Sequence, residues 1–512
     1  MPPRHRTHAS RLPASLPATL PAALPAALPA ALLSVLPGRV LDRRQWCAAA
    51  AALAAALPGL ALAQAASSPS TATTPATTPA TTSTDGPTYP AADPGRLALV
   101  IGNRDYPAPH NLPSIRKNAQ DVHAALRQRG FSSTLVLDAD PAAARQAVDH
   151  FVSLAQAAPA DAMLLFYFSG HGLQLDAENL LLAAGMRPDG SADSLQKGSL
   201  ALGRDVVQRL PRRAGGLNIA VVDACRSDFR PPARGQDGLN QVEAPPGCLI
   251  AFSTGAGKPA IAPNNDTEST FYTAALVRLL LGSPDDLSFS DLFRLVKIEV
   301  QRTMLEDARP VIKRFAQFPF IADNAAAVFA LAPRNARPVV APPRINREAE
   351  DRDWAALQTL VWPPDLLRLA RQFRQRYPDS ARNPAAEVAA EGAREAADIL
   401  RRNDVRLYRS SFEPNPAFDA AYNNDLRKAA RGDKDAAARV GRAWITVDLA
   451  GPALSRYEGW MQFAAELGNG IASYELALHY RRQNQPQPAA RWESRARELG
   501  YTPPASLEHY RK

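Results

Sequence analysis

Two short segments of the sequence carry residues suited to nucleophilic chemistry. His171 lies in Ser169-Gly170-His171-Gly172, and Cys225 lies in Asp223-Ala224-Cys225-Arg226. A cysteine attacks as the thiolate, and a free thiol near neutral pH is mostly protonated. An imidazole can accept that proton and later return it to a leaving amine. The two segments therefore predict Cys225 as a nucleophile and His171 as its general base.

Backbone N–H groups beside these residues are suited to hold a developing oxyanion. The glycines that flank His171 let the chain turn sharply and let a substrate chain come close. The N–H groups of Gly172 and Cys225 are the predicted oxyanion donors, because neither needs a side chain to reach the charge. Taken singly, a buried cysteine is usually an inert small hydrophobe. Cys248 begins an apolar run and is interpreted in that way, as a core residue.

Apolar runs alternate with helical spacing over residues 95–332, which predicts an α/β domain with a mostly parallel sheet covered on both faces. The third predicted strand leads into His171 and the fourth leads into Cys225. Reactive groups in such sheets lie just past the carboxyl ends of the strands, so both residues are expected at one edge. The predicted strands are 97–101, 134–137, 163–168, 217–222 and 249–252, and the predicted helices are 115–129, 142–158, 206–210, 270–281 and 292–305.

The segments from Phe166 to Gly172 and from Val221 to Arg226 resemble the caspase superfamily (peptidase C14), in particular bacterial metacaspase-like, or orthocaspase, members. In caspases the histidine lies ~50 residues before the cysteine, and the interval here is similar. Segment 99–103 with Tyr106, and segments 247–254 and 270–273, also resemble the family. The resemblance implies a caspase-like three-layer fold, a Cys–His dyad and no metal in catalysis. Legumain-like and gingipain-like enzymes share this residue order, but Asp-Ala-Cys-Arg favours the caspase type.

The residue two positions before the nucleophile indicates the substrate. Caspases carry a glutamine there, which helps to shape a pocket for aspartate, whereas this chain carries Asp223. A carboxylate repels an acidic side chain and pairs with a guanidinium or ammonium group. The metacaspase resemblance likewise implies cleavage after Arg or Lys, with Ser169 and Asp121 beside Asp223 by matched position. The family usually has Asn-Asp where this chain has Gln120-Asp121, and a strand-end cap is the alternative role of Asp223.

No cofactor is predicted. The three cysteines show neither a disulfide framework nor metal-ligand spacing. Calcium activation is suggested only by analogy with related enzymes, and the sequence has no Asp-rich loop with calcium-ligand spacing. Arg226, Arg230 and Arg234 lie among prolines and glycines, which predicts an exposed loop after Cys225. Related enzymes often process themselves in such loops, so self-cleavage there is a hypothesis.

The first 63 residues are interpreted as low-complexity sequence followed by a signal peptide. Arg43-Arg44 precedes the apolar stretch 47–63, which ends in Ala61-Leu62-Ala63. This arrangement resembles a bacterial twin-arginine signal and predicts an exported protein, periplasmic or secreted. An uncleaved anchor is the alternative, but the stretch contains Pro58 and is shorter than the ~20 residues of a spanning helix. No stable membrane span is expected after cleavage, and 64–94 is predicted to be a disordered linker.

The C-terminal third is predicted to be helical. Residues 333–353 are rich in Pro and Arg and are interpreted as a linker, and residues 354–512 show helical spacing. A pattern ending in glycine recurs at Gly432, Gly468 and Gly500, and the first two are about 36 residues apart. This region resembles a short Sel1-like array, related to tetratricopeptide repeats. Such solenoids usually bind proteins, and a plain helical bundle packed on the peptidase is the alternative.

These observations lead to two hypotheses about function. The first is an active endopeptidase that acts on proteins or peptides, with a repeat module that recruits a protein partner. The second is a binding protein whose caspase-like domain is an inert scaffold; the intact His171 and Cys225 segments favour the first. The net charge of +9 comes largely from scattered arginines without a basic run interleaved with aromatics. That pattern favours a solvated surface over nucleic-acid binding.

Overall fold

The structure is a computed structural model that describes residues 92–503, except 176, 188–189, 214, 227–238, 257–259, 333–346, 403, 417 and 448–451. The predicted signal peptide and nearly all of the predicted linker 64–94 lie outside the described residues. So does most of the loop proposed for self-cleavage. The C-terminal residues 504–512 lie outside as well.

The first described unit is built on one sheet. Its strands are β1 Arg96–Gly102, β2 Ser132–Leu137, β3 Met163–Leu175, β4 Glu178–Leu182, β5 Ser199–Ala201, β6 Leu217–Arg226, β7 Cys248–Phe252 and β8 Phe320–Asp323. The order across the sheet is β2-β1-β3-β6-β7-β8, with β4 on β3 and β5 on β4. The first five strands in this order pair in parallel, and β8 pairs antiparallel with β7. The predicted mostly parallel sheet is therefore confirmed.

Two strands are longer than the sequence predicts. β3 and β6 were expected to stop at residues 168 and 222, but they continue to Leu175 and Arg226. Glycines weaken a strand on their own. Here β3 is held by β6 on one side and, from Gly172 onward, by β4 on the other. The prediction that the site residues follow the strands was wrong, because they lie within them.

Helices cover both faces of the sheet, and alternate strand residues face opposite cores. Tyr167 and Val221 pack on the side of helices 115–128, 271–282 and 289–306, whereas Phe168 and Val222 pack on the side of helix 141–157. Cys248 is buried in this second core, as predicted. The predicted helix 206–210 is instead a π-helical turn, Leu202–Val207. The helices are α1 Ile115–Gln128, α2 Pro141–Ala157, α3 Ala192–Lys197, α4 Phe271–Gly282, α5 Phe289–Glu306 and α6 Pro310–Arg314.

The C-terminal region is all-helical, as predicted. Its first helix begins at Arg347, inside the predicted linker 333–353. Small and aromatic residues form its core, with Trp460 fully buried among alanines. Among the described helices, none combines the length and the apolar character needed to cross a membrane. The helices are α7 Arg347–Thr359, α8 Pro363–Arg376, α9 Asn383–Leu400, α10 Ala420–Ala430, α11 Lys434–Val447, α12 Pro452–Glu466, α13 Gly470–Arg482 and α14 Pro486–Glu498.

Candidate active site

The register of β3 against β6 brings the predicted site positions side by side. In this parallel ladder His171 is the partner of Cys225, and Ser169 is the partner of Asp223. Because strand residues alternate between faces, Ser169, His171 and Asp223 lie on the same face as Tyr167, the side of α1 and α4. The predicted base and nucleophile therefore occupy paired positions on neighbouring strands.

The imidazole of His171 is held by the loop between β1 and α1. Its Nε2 donates to the carbonyl oxygen of His110 at 2.8 Å. The ring of Tyr106 meets the imidazole edge to face, with 4.5 Å between ring centroids. Tyr106 also accepts the backbone N–H of His171 at 3.1 Å and donates to the carbonyl of Leu182 at 3.0 Å. These contacts fix both the position and the rotation of the ring.

Burial sets the protonation state of His171. The side chain is only 6% exposed, and burial lowers its pKa to about 4, an effect that the bond to His110 partly opposes. The imidazole is therefore neutral at pH 7. Because Nε2 donates its proton to a carbonyl, the lone pair of the neutral ring belongs to Nδ1. Nδ1 is thus the atom that can accept a proton from a thiol.

The two glycines beside His171 have different surroundings. A Cβ on Gly170 would lie 2.7 Å from the hydroxyl of Tyr106 and 2.9 Å from Cζ of Phe168, so close packing requires glycine there. Gly172 is paired with Arg226 on one side and with Leu181 on the other. The two predicted oxyanion donors, Gly172 and Cys225, thus lie on adjacent strands, and Gly172 follows the direct partner of Cys225 by one residue. Their role stays a prediction.

Asp223, two positions before Cys225, is buried. One carboxylate oxygen, Oδ2, accepts the hydroxyls of Thr270 at 2.5 Å and Thr273 at 2.6 Å. Burial raises the pKa of Asp223, and hydrogen bonding to the hydroxyls of Thr270, Thr273 and Ser253 opposes that shift. The other oxygen, Oδ1, is buried and accepts no well-formed hydrogen bond from the described residues. The bonds to the start of α4 fit a structural cap, whereas Oδ1 leaves an acceptor for a further group.

Asn118, not Asp121, is the α1 residue that reaches Ser169 and Asp223. Its amide nitrogen lies 3.2 Å from Ser169 Oγ and 3.4 Å from Asp223 Oδ2. Asp121 is one helical turn further along and accepts from Lys117 and Ser269. The buried face of α1 passes through Ile115, Asn118 and Val122, which leaves position 121 off that face. The 3.6-residue period was the sequence signal that could have identified Asn118.

Other contributors to the site were not predicted in these roles. Tyr106, Thr270 and Thr273 were noted only as parts of the family resemblance, and His110 acts through its backbone, which no side-chain pattern reveals. Burial raises the pKa of the Cys248 thiol, which suits a core residue better than a nucleophile. Within the described ranges, no three His, Cys, Asp or Glu side chains form a group that could hold a metal ion.

Comparison with known proteins identifies the sheet-bearing unit. Residues 95–328 match the family model Peptidase_C14, described as the caspase domain. Among solved structures, the crystal structure of Caspase-1 from Spodoptera frugiperda is similar over 49% of this chain and 96% of that chain, with a TM-score of 0.36 and 18% identity. A likeness this remote does not bear on substrate or site residues, and no curated protein matches the chain. Residues 95–328 are therefore a caspase-like domain of the C14 peptidase type, followed by an all-helical region.

Proposed function

We propose that this protein is a cysteine endopeptidase in which His171 is the general base and Cys225 the nucleophile. One observation carries the proposal: the β3–β6 register makes these two residues partners, while the carbonyl of His110 holds Nε2 of the imidazole. A match to a peptidase family makes proteins or peptides the expected substrates. The dyad needs no cofactor, and none is proposed.

The proposed reaction follows from the tautomer of His171. Nδ1 takes the proton of the Cys225 thiol, and the sulfur attacks the carbonyl carbon of the scissile bond. The N–H groups of Gly172 and Cys225 stabilise the oxyanion of the tetrahedral intermediate. The imidazolium then gives its proton to the leaving amine, which leaves a thioester. Water, deprotonated by the same imidazole, hydrolyses the thioester and restores the thiol.

We propose that the bond cut follows Arg or Lys, with Asp223 as the recognising carboxylate. Oδ1 of Asp223 is a buried oxygen that accepts no well-formed hydrogen bond from the described residues, which leaves it able to accept one from a substrate. A substrate guanidinium or ammonium group would satisfy it. Ser169 and Asn118 would line the same pocket, and Asp121 would act one turn away from it. Because Asp223 is only 1% exposed, the groups that cover it must shift to admit a substrate side chain, while Asn118 keeps the carboxylate in place.

The test compares fluorogenic peptides that end in Arg, Lys or Asp. We expect cleavage of the first two, and Cys225→Ala and His171→Ala should each lower kcat by about 10³-fold or more. Cys248→Ala is the matched control, because this second cysteine is buried in the core and should be dispensable for turnover. An arginyl electrophilic inhibitor should label Cys225 in a peptide map. A label on Cys248, or full activity of Cys225→Ala, would refute the dyad.

The alternative function is an inert caspase-like scaffold that binds partners, and the closed position of Asp223 favours it. It predicts that none of the peptides is cleaved and that the inhibitor leaves Cys225 unmodified. Recruitment of a protein by the helical region, its assignment to Sel1-like repeats, and export from a bacterial cell all remain proposals based on sequence.

A further inference from the structure

Two consecutive amide side chains, in the segment that follows Cys225, are locked into the helical region. The amide of Asn240 pairs with the backbone of Thr502, accepting its N–H at 2.9 Å and donating to its carbonyl at 3.2 Å. The amide of Gln241 accepts the N–H of Gly470 at 2.8 Å and donates to the carbonyl of Gly468 at 3.1 Å. Both residues are buried. Each side-chain amide thus makes the pair of hydrogen bonds, one accepted and one donated, that a backbone segment makes in a β-sheet.

The same attachment continues to the strand that carries His171. The side chain of Asn179, on β4, accepts the N–H of Asn240 at 2.8 Å and donates to its carbonyl at 3.2 Å. β4 in turn pairs with β3 from Gly172 onward. Gln174, three residues after His171, donates to the hydroxyl of Thr502 at 3.3 Å. Thr502 therefore contacts both the segment that follows His171, through Gln174, and the segment that follows Cys225, through Asn240.

A third loop beside the site meets the turn that ends α14. The segment after β7 begins at Ser253, whose N–H donates to the carbonyl of Val222, next to Asp223. Three residues later, Ala256 packs on Gly500 so closely that a Cβ on Gly500 would overlap the Cβ of Ala256. Gly500 also has a φ of 74°, and its carbonyl accepts the N–H of Gln241 at 3.2 Å.

We infer that the turn Gly500–Thr502 of the helical region is a positioning element of the active site. It fixes the segments that leave β3, β6 and β7 relative to one another, and these are the strands that carry or flank the dyad. A misplacement of ~1 Å in an active site can cost ~10²-fold in rate, so support of this kind has a catalytic consequence. The inference rests on the proposed function of His171 and Cys225, but the attachment itself can be measured without turnover.

The test uses the full chain and two variants that break different contacts. Gly500→Ala forces a Cβ against Ala256, and Asn240→Ala removes the amide pair with Thr502. Gly185→Ala is the matched control, because Gly185 has the same φ of 74° and no atom lies within 4 Å of an added Cβ. Three readouts are compared: hydrogen exchange at residues 240–241, the rate and pH profile of Cys225 alkylation by iodoacetamide, and kcat against KM for an arginyl peptide.

We expect both variants to exchange faster at residues 240–241 and to alkylate Cys225 with an altered pH profile. We also expect kcat to fall about 10-fold with little change in KM, while Gly185→Ala behaves like the wild type. Unchanged exchange in both variants, or faster exchange with alkylation and kcat equal to the control, would overturn the inference. If the wild type cleaves no peptide, the proposed function fails. Hydrogen exchange and Cys225 alkylation then still show whether the turn Gly500–Thr502 positions the site.

Discussion

In the caspase-like domain the site positions are set by strand register, whereas in the helical region the contacts that matter are made by turns. His171 and Ser169 are placed opposite Cys225 and Asp223 because two parallel strands align over ten residue pairs. In the helical region, Gly432, Gly468 and Gly500 end helices with φ values of 77°, 100° and 74°. Glycine adopts this left-handed conformation without the steric cost that other residues meet. Register fixes neighbouring strands, while the turns fix one region against the other.

All three turns contact the caspase-like domain. At the first, Asp433 pairs with Arg294 of α5, and the ammonium of Lys434 lies 4.2 Å from the ring centroid of Phe320 on β8. The second and third turns hold Gln241. The repeated glycine pattern, which predicted a recruiting module, therefore marks turns that pack against the caspase-like domain of the same chain. A recruited partner would have to bind a different face.

The largest expected effect comes from Arg294, which joins the two regions. It pairs with Asp323 at 3.2 Å and with Asp433 at 2.8 Å, and both carboxylates are less than 5% exposed. Arg294→Ala leaves two buried charges without this partner and should lower the free energy of unfolding by about 3 kcal/mol. Urea denaturation followed by circular dichroism measures the loss.

The matched control for Arg294 lies on the same helix. Arg302 pairs with Glu299 and is 53% exposed, so Arg302→Ala should cost less than about 1 kcal/mol. Equal stability of the two variants would show that the charge cluster does not join the regions.

The second prediction concerns the pH dependence of stability that comes from His171, a residue of the caspase-like domain. The pKa of His171 is lowered from an unfolded value near 6.5 to about 4, so the unfolded chain binds the additional proton between these values. His171 should therefore make stability fall as the pH drops from about 6.5 to 4, by about 3 kcal/mol in total. His171→Gln, which stays neutral, should lose that part of the pH dependence. An identical pH profile for the variant would contradict the buried, neutral imidazole.

The third prediction tests how tightly β3 is packed next to His171. Gly170→Ala places a methyl group 2.7 Å from the Tyr106 hydroxyl and should displace His171, which lowers kcat by about 10²-fold. Gly282→Ala, where an added Cβ meets nothing within 4 Å, is the control. Equal kcat values for the two variants would mean that Tyr106 does not position the imidazole.

The smallest predicted effect separates two residues of α1. Asn118→Ala removes contacts to Ser169, Asp223 and Thr270 and should raise KM for an arginyl peptide about 10-fold. Asp121→Ala should change it by less than about 2-fold, since Asp121 bonds to the partly exposed Lys117 and Ser269. The opposite ranking would restore the role that the sequence resemblance gives to Asp121.

The sequence predicted the presence of most strands and helices better than it predicted the residues at which they begin and end. β1, β2, β7 and α1 lie within a few residues of the expected bounds, because apolar runs and helical periodicity are local signals. β4, β5 and β8 were not predicted. They are short, and β8 depends on pairing with β7, a contact between residues about 70 positions apart.

By itself, the sequence determined the main strands of the sheet and proposed the residues of the site. His171 and Cys225 were proposed from residue type and local pattern, and Asp223 from its matched position in the family that the sequence resembles. Only the tertiary structure decided that Asn118 is the α1 residue beside Asp223, that the His110 carbonyl orients the imidazole, and that the glycine turns hold the caspase-like domain. These contacts join backbone groups and distant segments, and they depend on which helix face turns inward. Residue type and spacing do not specify such contacts until the chain has packed.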